Sequence, residues 1–122
     1  MGFLILGSIG EFCHLWKKRN MIQEALDYVD YRVTVYVGTG GTVLRNVELS
    51  RFALDRGADG VMVISPYYFN LPDSSILNFY DTLAGQLDGP VLLYNFPART
   101  GYDLGNRRWC LNWPAAGRIL WG

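Results

Sequence analysis

The sequence predicts an α/β fold in which parallel strands alternate with helices, and three observations predict it. Short apolar runs end in glycine- or proline-marked turns four times, the turns starting at residues 7, 38, 65 and 95, in steps of 31, 27 and 30 residues. A step of that size holds one strand, one helix and two loops. The runs are continuously apolar, which marks strands covered on both faces in a parallel sheet. Between them lie stretches in which apolar residues recur with helical period.

The first run is Phe3-Leu4-Ile5-Leu6, and Gly7-Ser8-Ile9-Gly10-Glu11 turns the chain. Ile22, Ala25, Leu26 and Val29 then repeat at i, i+3, i+4 and i+7, predicting a helix over 16–31 with Lys17, Lys18 and Arg19 solvated at its start. Residues 33–37 form the second run and Gly38-Thr39-Gly40-Gly41 its turn. Thr42 is an acceptable N-cap for a helix that carries Leu44, Val47 and Leu54 inward and stops at Gly57. The third run, 61–64, leads into Ser65-Pro66-Tyr67-Tyr68. A helix follows Pro72, with Asp73 or Ser74 as cap and Ile76, Tyr80, Leu83, Ala84 and Leu87 along one side. Gly89-Pro90 ends that connection, and the fourth run, 91–94, meets Asn95-Phe96-Pro97.

Pattern alone leaves two architectures open, a doubly wound sheet and a segment of a (β/α)8 barrel. Both bind ligands at the carboxyl ends of the strands, where all four turns lie. With 122 residues and 50% of them hydrophobic, the chain is bounded to one domain with an ample core. Eleven basic residues balance eleven acidic ones, which argues against nucleic acid or an acidic membrane as partner. Met1 to Leu6 is too short for a signal or membrane segment. Cys13 and Cys110 lie far apart, as free thiols of a reducing cytoplasm do. His14, the one histidine, has no partner at metal-ligand spacing, so no metal is expected. Gly38-Thr39-Gly40-Gly41 lacks the lysine and spacing of a phosphate cradle.

Taken in order, Gly7-Ser8-Ile9-Gly10-Glu11, Gly38-Thr39-Gly40, Pro66-Tyr67-Tyr68 and Tyr94-Asn95-Phe96-Pro97-Ala98-Arg99-Thr100-Gly101 closely resemble the dihydrodipicolinate synthase / N-acetylneuraminate lyase family of Schiff-base aldolases. Phe12 after Glu11 and the Asn-Phe-Pro wording are most similar to its keto-deoxy sugar-acid aldolase branch. The resemblance covers about residues 1–105. It implies a partial TIM barrel holding the second to fifth strands with the helices between them. Residues 106–122 depart from the family pattern and are expected to be a divergent tail, out of frame or disordered. Arg107, Arg108, Trp109 and Trp113 in that tail mix basic and aromatic side chains without implying a nucleic-acid surface.

The same resemblance implies a pyruvate-dependent class I aldolase acting on a 2-keto-3-deoxy sugar acid or related 2-oxo acid, with no cofactor. Such an enzyme attacks a ketone with a lysine amine held partly neutral in a desolvated pocket. In the family that lysine comes from the sixth strand. Lys17 and Lys18 are the only lysines here, both at the start of a surface helix, so the chain is expected to be inactive as written. The alternative is a non-catalytic half-barrel that binds a small carboxylate or a partner subunit.

By the resemblance, Gly7, Ser8 and Ile9 form the loop that holds the pyruvate carboxylate, with Ile9 replacing a common threonine and losing one hydroxyl contact. Tyr94 matches the proton-relay tyrosine, Tyr68 a tyrosine that reaches a neighbouring subunit's site, and Arg99 an arginine near the pocket mouth that meets an acidic substrate. Tyr67 reads as a packing or interface residue. Two open strand edges and an uncovered inner face predict self-association, since each apolar side chain left in water forfeits ~1.5–3 kcal/mol.

Overall fold

The structure is a computed structural model that describes residues 3–6, 14–67, 69–105 and 118–121. Its elements run β1 (Phe3–Leu6), α1 (Leu15–Val29), β2 (Thr34–Thr39), α2 (Val43–Asp55), β3 (Gly60–Ile64), α3 (Asp73–Ala84), β4 (Val91–Asn95), α4 (Pro97–Thr100) and β5 (Arg118–Trp121). The five strands form one sheet in the order β1-β2-β3-β4-β5, every pair parallel. A doubly wound sheet needs a point where strand order reverses and helices change face. This order never reverses, and the sheet is the singly wound, barrel-type arrangement.

Strand alternation separates the two faces of the sheet. Val35 and Val37 of β2, Val61 and Val63 of β3, and Val91 and Leu93 of β4 join the helices in one buried cluster with Ile22, Leu26, Val47, Ala53, Ile76, Tyr80 and Leu83. Met62 and Leu92, one residue out of step, are buried but stand outside that cluster. They occupy the face turned away from the helices, with Ile64 and Tyr94 two residues further along the same strands on that face.

Each helix shows where local sequence decided and where packing did. Thr42 caps α2 as expected, its hydroxyl oxygen accepting from the Arg45 N–H at 3.4 Å. Leu44 does not point inward: it is 78% exposed, and Asn46, Val47, Leu49, Ser50 and Ala53 are the buried residues. At about 100° per residue, Leu44 lies about 160° round the helix from Asn46, on the solvent side. In α3 the N-cap is Pro72, so Asp73 is the first helical residue, where its carboxylate favours the positive helix end. Phe79 joins the expected Ile76, Tyr80 and Leu83 in the core. α1 ends at Val29 because Asp30 turns left-handed and donates its N–H to the Leu26 carbonyl. Arg19 is not simply solvated: it pairs with Glu48 and lies over the Phe52 ring, tying α1 to α2.

Two strands differ from the sequence reading. β2 continues through Gly38 and Thr39, which pair with Met62 and Val63, so the turn starts at Gly40. Arg118–Trp121, inside the stretch set apart as a tail, adds β5 to β4, with Leu92 opposite Arg118 and Asn95 opposite Trp121. A free parallel edge on β4 accepts a short apolar segment even where periodicity gives no signal.

Candidate functional site

All five strands point the same way, so the turns after β2, β3 and β4 gather at one end of the sheet. The face of Tyr94 is set by period two along β4. Leu93 and Asn95 turn toward the helices, and Tyr94 emerges on the opposite face beside Ile64, half-buried, its ring 5.6 Å from Phe96 at an interplanar angle of 38°. The phenol thus stands at the carboxyl end of the face turned away from the helices.

The turn after β4 becomes α4, a single helical turn that the sequence reading did not anticipate. Pro97 opens it and Gly101 closes it, with Gly101 at φ 80°, a left-handed value that a side chain resists. Arg99 is exposed on this turn, its guanidinium 5.3 Å from the centroid of the Tyr67 ring. The residue read as packing is therefore the platform for the arginine, and a stacked guanidinium keeps its edge N–H groups for a carboxylate.

Four residues to which sequence reasoning gave no role hold this turn in place. Asn95, only 1% exposed, donates from Nδ2 to Asp103 Oδ1 at 2.7 Å and accepts the Leu104 N–H on Oδ1 at 3.0 Å. Asp103 Oδ1 also accepts the Gly105 N–H at 2.8 Å. The Asn95 side chain and then the Gly105 N–H hold the Asp103 carboxyl below its ordinary range, against a smaller opposing effect of desolvation. Thr100 donates to the carbonyl of Tyr102 at 2.8 Å, and the Tyr102 hydroxyl donates to the carbonyl of Pro66 in the turn after β3. Burial raises the Tyr102 phenol above its ordinary value, opposed by a hydrogen bond with Ser65. The sequence signal was a polar residue ending an apolar strand: a buried asparagine needs partners.

Gly7, Ser8, Ile9 and Tyr68 lie outside the described residues, as do Glu11, Cys13 and Cys110. Lys17 is exposed near the Trp16 ring, 5.5 Å from its centroid, and Lys18 is half-exposed; both belong to the first turns of α1. His14 precedes α1 without a side-chain cap bond. Among the described residues no three His, Cys, Asp or Glu side chains are grouped to hold a metal ion. No described helix is long and apolar enough to cross a membrane. A cleft lined by Asp27, Asp30, Tyr31, Arg56 and Asp59 lies at the opposite, amino end of the sheet.

A singly wound parallel sheet with a tyrosine, an asparagine clasp and a stacked arginine at its carboxyl edge is part of a (β/α)8-type fold. Residues 1–108 match the Dihydrodipicolinate synthetase family, and the chain belongs to it. It is 44% identical over 106 residues to the putative 2-dehydro-3-deoxy-D-gluconate aldolase YagE of Escherichia coli K12, across 84% of this chain and 35% of that protein. It is 38% identical over 106 residues to the probable 2-dehydro-3-deoxy-D-pentonate aldolase YjhH of the same organism, across 84% of this chain and 35% of that protein. The crystal structure of the Escherichia coli K12 protein YagE in complex with pyruvate superposes with a TM-score of 0.77 at 42% identity, covering 84% of this chain and 36% of that one. The chain thus spans about a third of the length of the relatives it matches.

Proposed function

We propose that this chain carries the substrate-holding and proton-relay portion of a Schiff-base aldolase for 2-keto-3-deoxy sugar acids or related 2-oxo acids and lacks the amine that would do the covalent work. The observation that carries the reading is Tyr94 at the carboxyl end of β4, beside Ile64 on the face away from the helices, with the turn bearing Arg99 directly after it. In this reading Tyr94 passes protons to and from a bound 2-oxo acid. Gly7, Ser8 and Ile9 hold its carboxylate, Tyr68 adds to the relay across a subunit boundary, and Arg99 meets the second acidic group of those 2-oxo acids that carry one, which the sugar acids with their single carboxylate do not. What supports the substrate class is the likeness to two keto-deoxy sugar-acid aldolases, one of them solved with pyruvate.

The absence of the amine rests on the lysine inventory. Lys17 and Lys18 are the only lysines, both on α1, and the strand that follows β4 in the sheet reads Arg118-Ile119-Leu120-Trp121. The site needs no cofactor, since imine chemistry would require only an amine and a relay. We assign residues 1–105 to the barrel-type unit, whose sheet β5 extends from within the otherwise divergent segment 106–122, and the chain to the cytoplasm on its widely spaced cysteines. Self-association follows from a sheet whose outer strands, β1 and β5, each pair on one side only among the described residues.

Titration calorimetry with pyruvate tests the reading. Saturable binding without turnover of 2-dehydro-3-deoxy-D-gluconate is expected, and the absence of any binding would overturn it.

A further inference from the structure

The loop from Phe96 to Gly105 leaves the sheet at β4 and carries the arginine that the proposed function aims at an acidic group. An exposed loop of that length has many conformations, and an arginine on it loses affinity for every conformation in which it points elsewhere. Here the base of the loop is closed by one buried side chain. Asn95 bonds Asp103 and the Leu104 N–H at 2.7 and 3.0 Å, so the residues that begin and end the excursion are held together. Asp103 Oδ1 receives a second hydrogen from the Gly105 N–H at 2.8 Å. The middle of the loop is held across to the turn after β3, by the Tyr102 hydroxyl on the Pro66 carbonyl and by Arg99 over Tyr67.

We infer that Asp103, acting through Asn95, is a positioning residue for Arg99: it touches no ligand but fixes the loop on which the guanidinium stands, and so sets affinity for substrates with a second acidic group. Its ligand arm rests on the proposed function. The oxygen that matters is a single acceptor, so a neutral amide can replace the carboxylate. Asp103→Asn keeps an Oδ1 able to accept from both Asn95 and Gly105, whereas Asp103→Ala removes it.

The experiment uses the full chain and two probes, pyruvate and 2-oxoglutarate, together with amide hydrogen exchange and the Arg99 side-chain NMR signal. In Asp103→Ala, exchange at Leu104 and Gly105 should quicken and the Arg99 signal should lose the shift imposed by the Tyr67 ring. Affinity for 2-oxoglutarate should fall about tenfold, as expected for a weakened contact to a charged group, while that for pyruvate stays unchanged. Asp103→Asn should restore both readouts. In an Arg99→Ala background, adding Asp103→Ala should leave 2-oxoglutarate affinity as it was, because the two residues act as one unit. Should Asp103→Ala fail to fold, Asp103→Glu, which displaces the acceptor by one methylene, should shift both readouts in the same direction. Equal losses for the two acids, additive losses in the double variant, or an Arg99 signal indifferent to Asp103 would each overturn the inference. If the unmodified chain binds neither acid, the proposed function fails, and the exchange and Arg99 signals alone decide the role of Asp103.

Discussion

Tyr102, carried by the loop after β4, donates its hydroxyl hydrogen to the carbonyl of Pro66 in the turn after β3. The bond joins two strand ends that chain connectivity keeps 36 residues apart. It also buries a phenol that must stay neutral to donate, and this gives the fold a dependence on alkaline pH. Desolvation raises the folded-state value above the ordinary 10.0, outweighing the opposing hydrogen bond with Ser65. The unfolded phenol therefore ionises first as pH rises. Stability contributed by this group is complete below about pH 10 and is lost as pH climbs through the folded value. Urea midpoints measured on both sides of that pH should fall more steeply for the native sequence than for Tyr102→Phe. Parallel curves would show that Tyr102 is not the titrating group.

The Tyr80 hydroxyl, fully buried on α3, donates to the Val63 carbonyl of β3 at 3.0 Å. Removing it in Tyr80→Phe should lower unfolding free energy by about 1 kcal/mol, the size of one net hydrogen bond. Equilibrium urea unfolding reads this directly, and an unchanged midpoint would mean the bond contributes nothing.

Leucines on opposite sides of the layer test the packing. Leu93 is fully buried between β4 and the helices, while Leu44 is exposed on α2. Leu93→Ala should cost about 2–5 kcal/mol, and Leu44→Ala should stay within about 0.5 kcal/mol of the native sequence. A reversal of the two would place α2 the other way round on the sheet.

The helix cap on α2 is weaker than its residue type suggests. The Thr42 acceptor stands 3.4 Å from the Arg45 nitrogen, at the long end for a hydrogen bond. Thr42→Ala should therefore cost only about 0.5 kcal/mol, the low end of N-cap effects, as read by the thermal midpoint followed by circular dichroism. A much larger loss would mean that the cap is shorter in solution.

Strands were legible because burial on both faces leaves a continuous apolar run, as in Val61-Met62-Val63-Ile64. Their ends were less so. Gly38 reads as a turn residue, yet its backbone pairs opposite Met62, and pairing with a neighbouring strand outweighs local preference. Leu44 was misplaced because one residue of phase error on a helix is a large rotation. The motif singled out Tyr94 and Arg99 as candidates but gave no role to Asn95 and Asp103, since their bond depends on where the chain returns after α4. The Arg19–Glu48 pair joins residues 29 positions apart and leaves no local trace.

Lys17 and Lys18, the only lysines of the sequence, both stand on α1, and neither is expected to form an imine. Incubating the purified chain with pyruvate and borohydride, then weighing the intact protein and its peptides by mass spectrometry, tests that most directly. The expected result is an unmodified mass throughout. A reduced pyruvate adduct on Lys17 or Lys18 would contradict it.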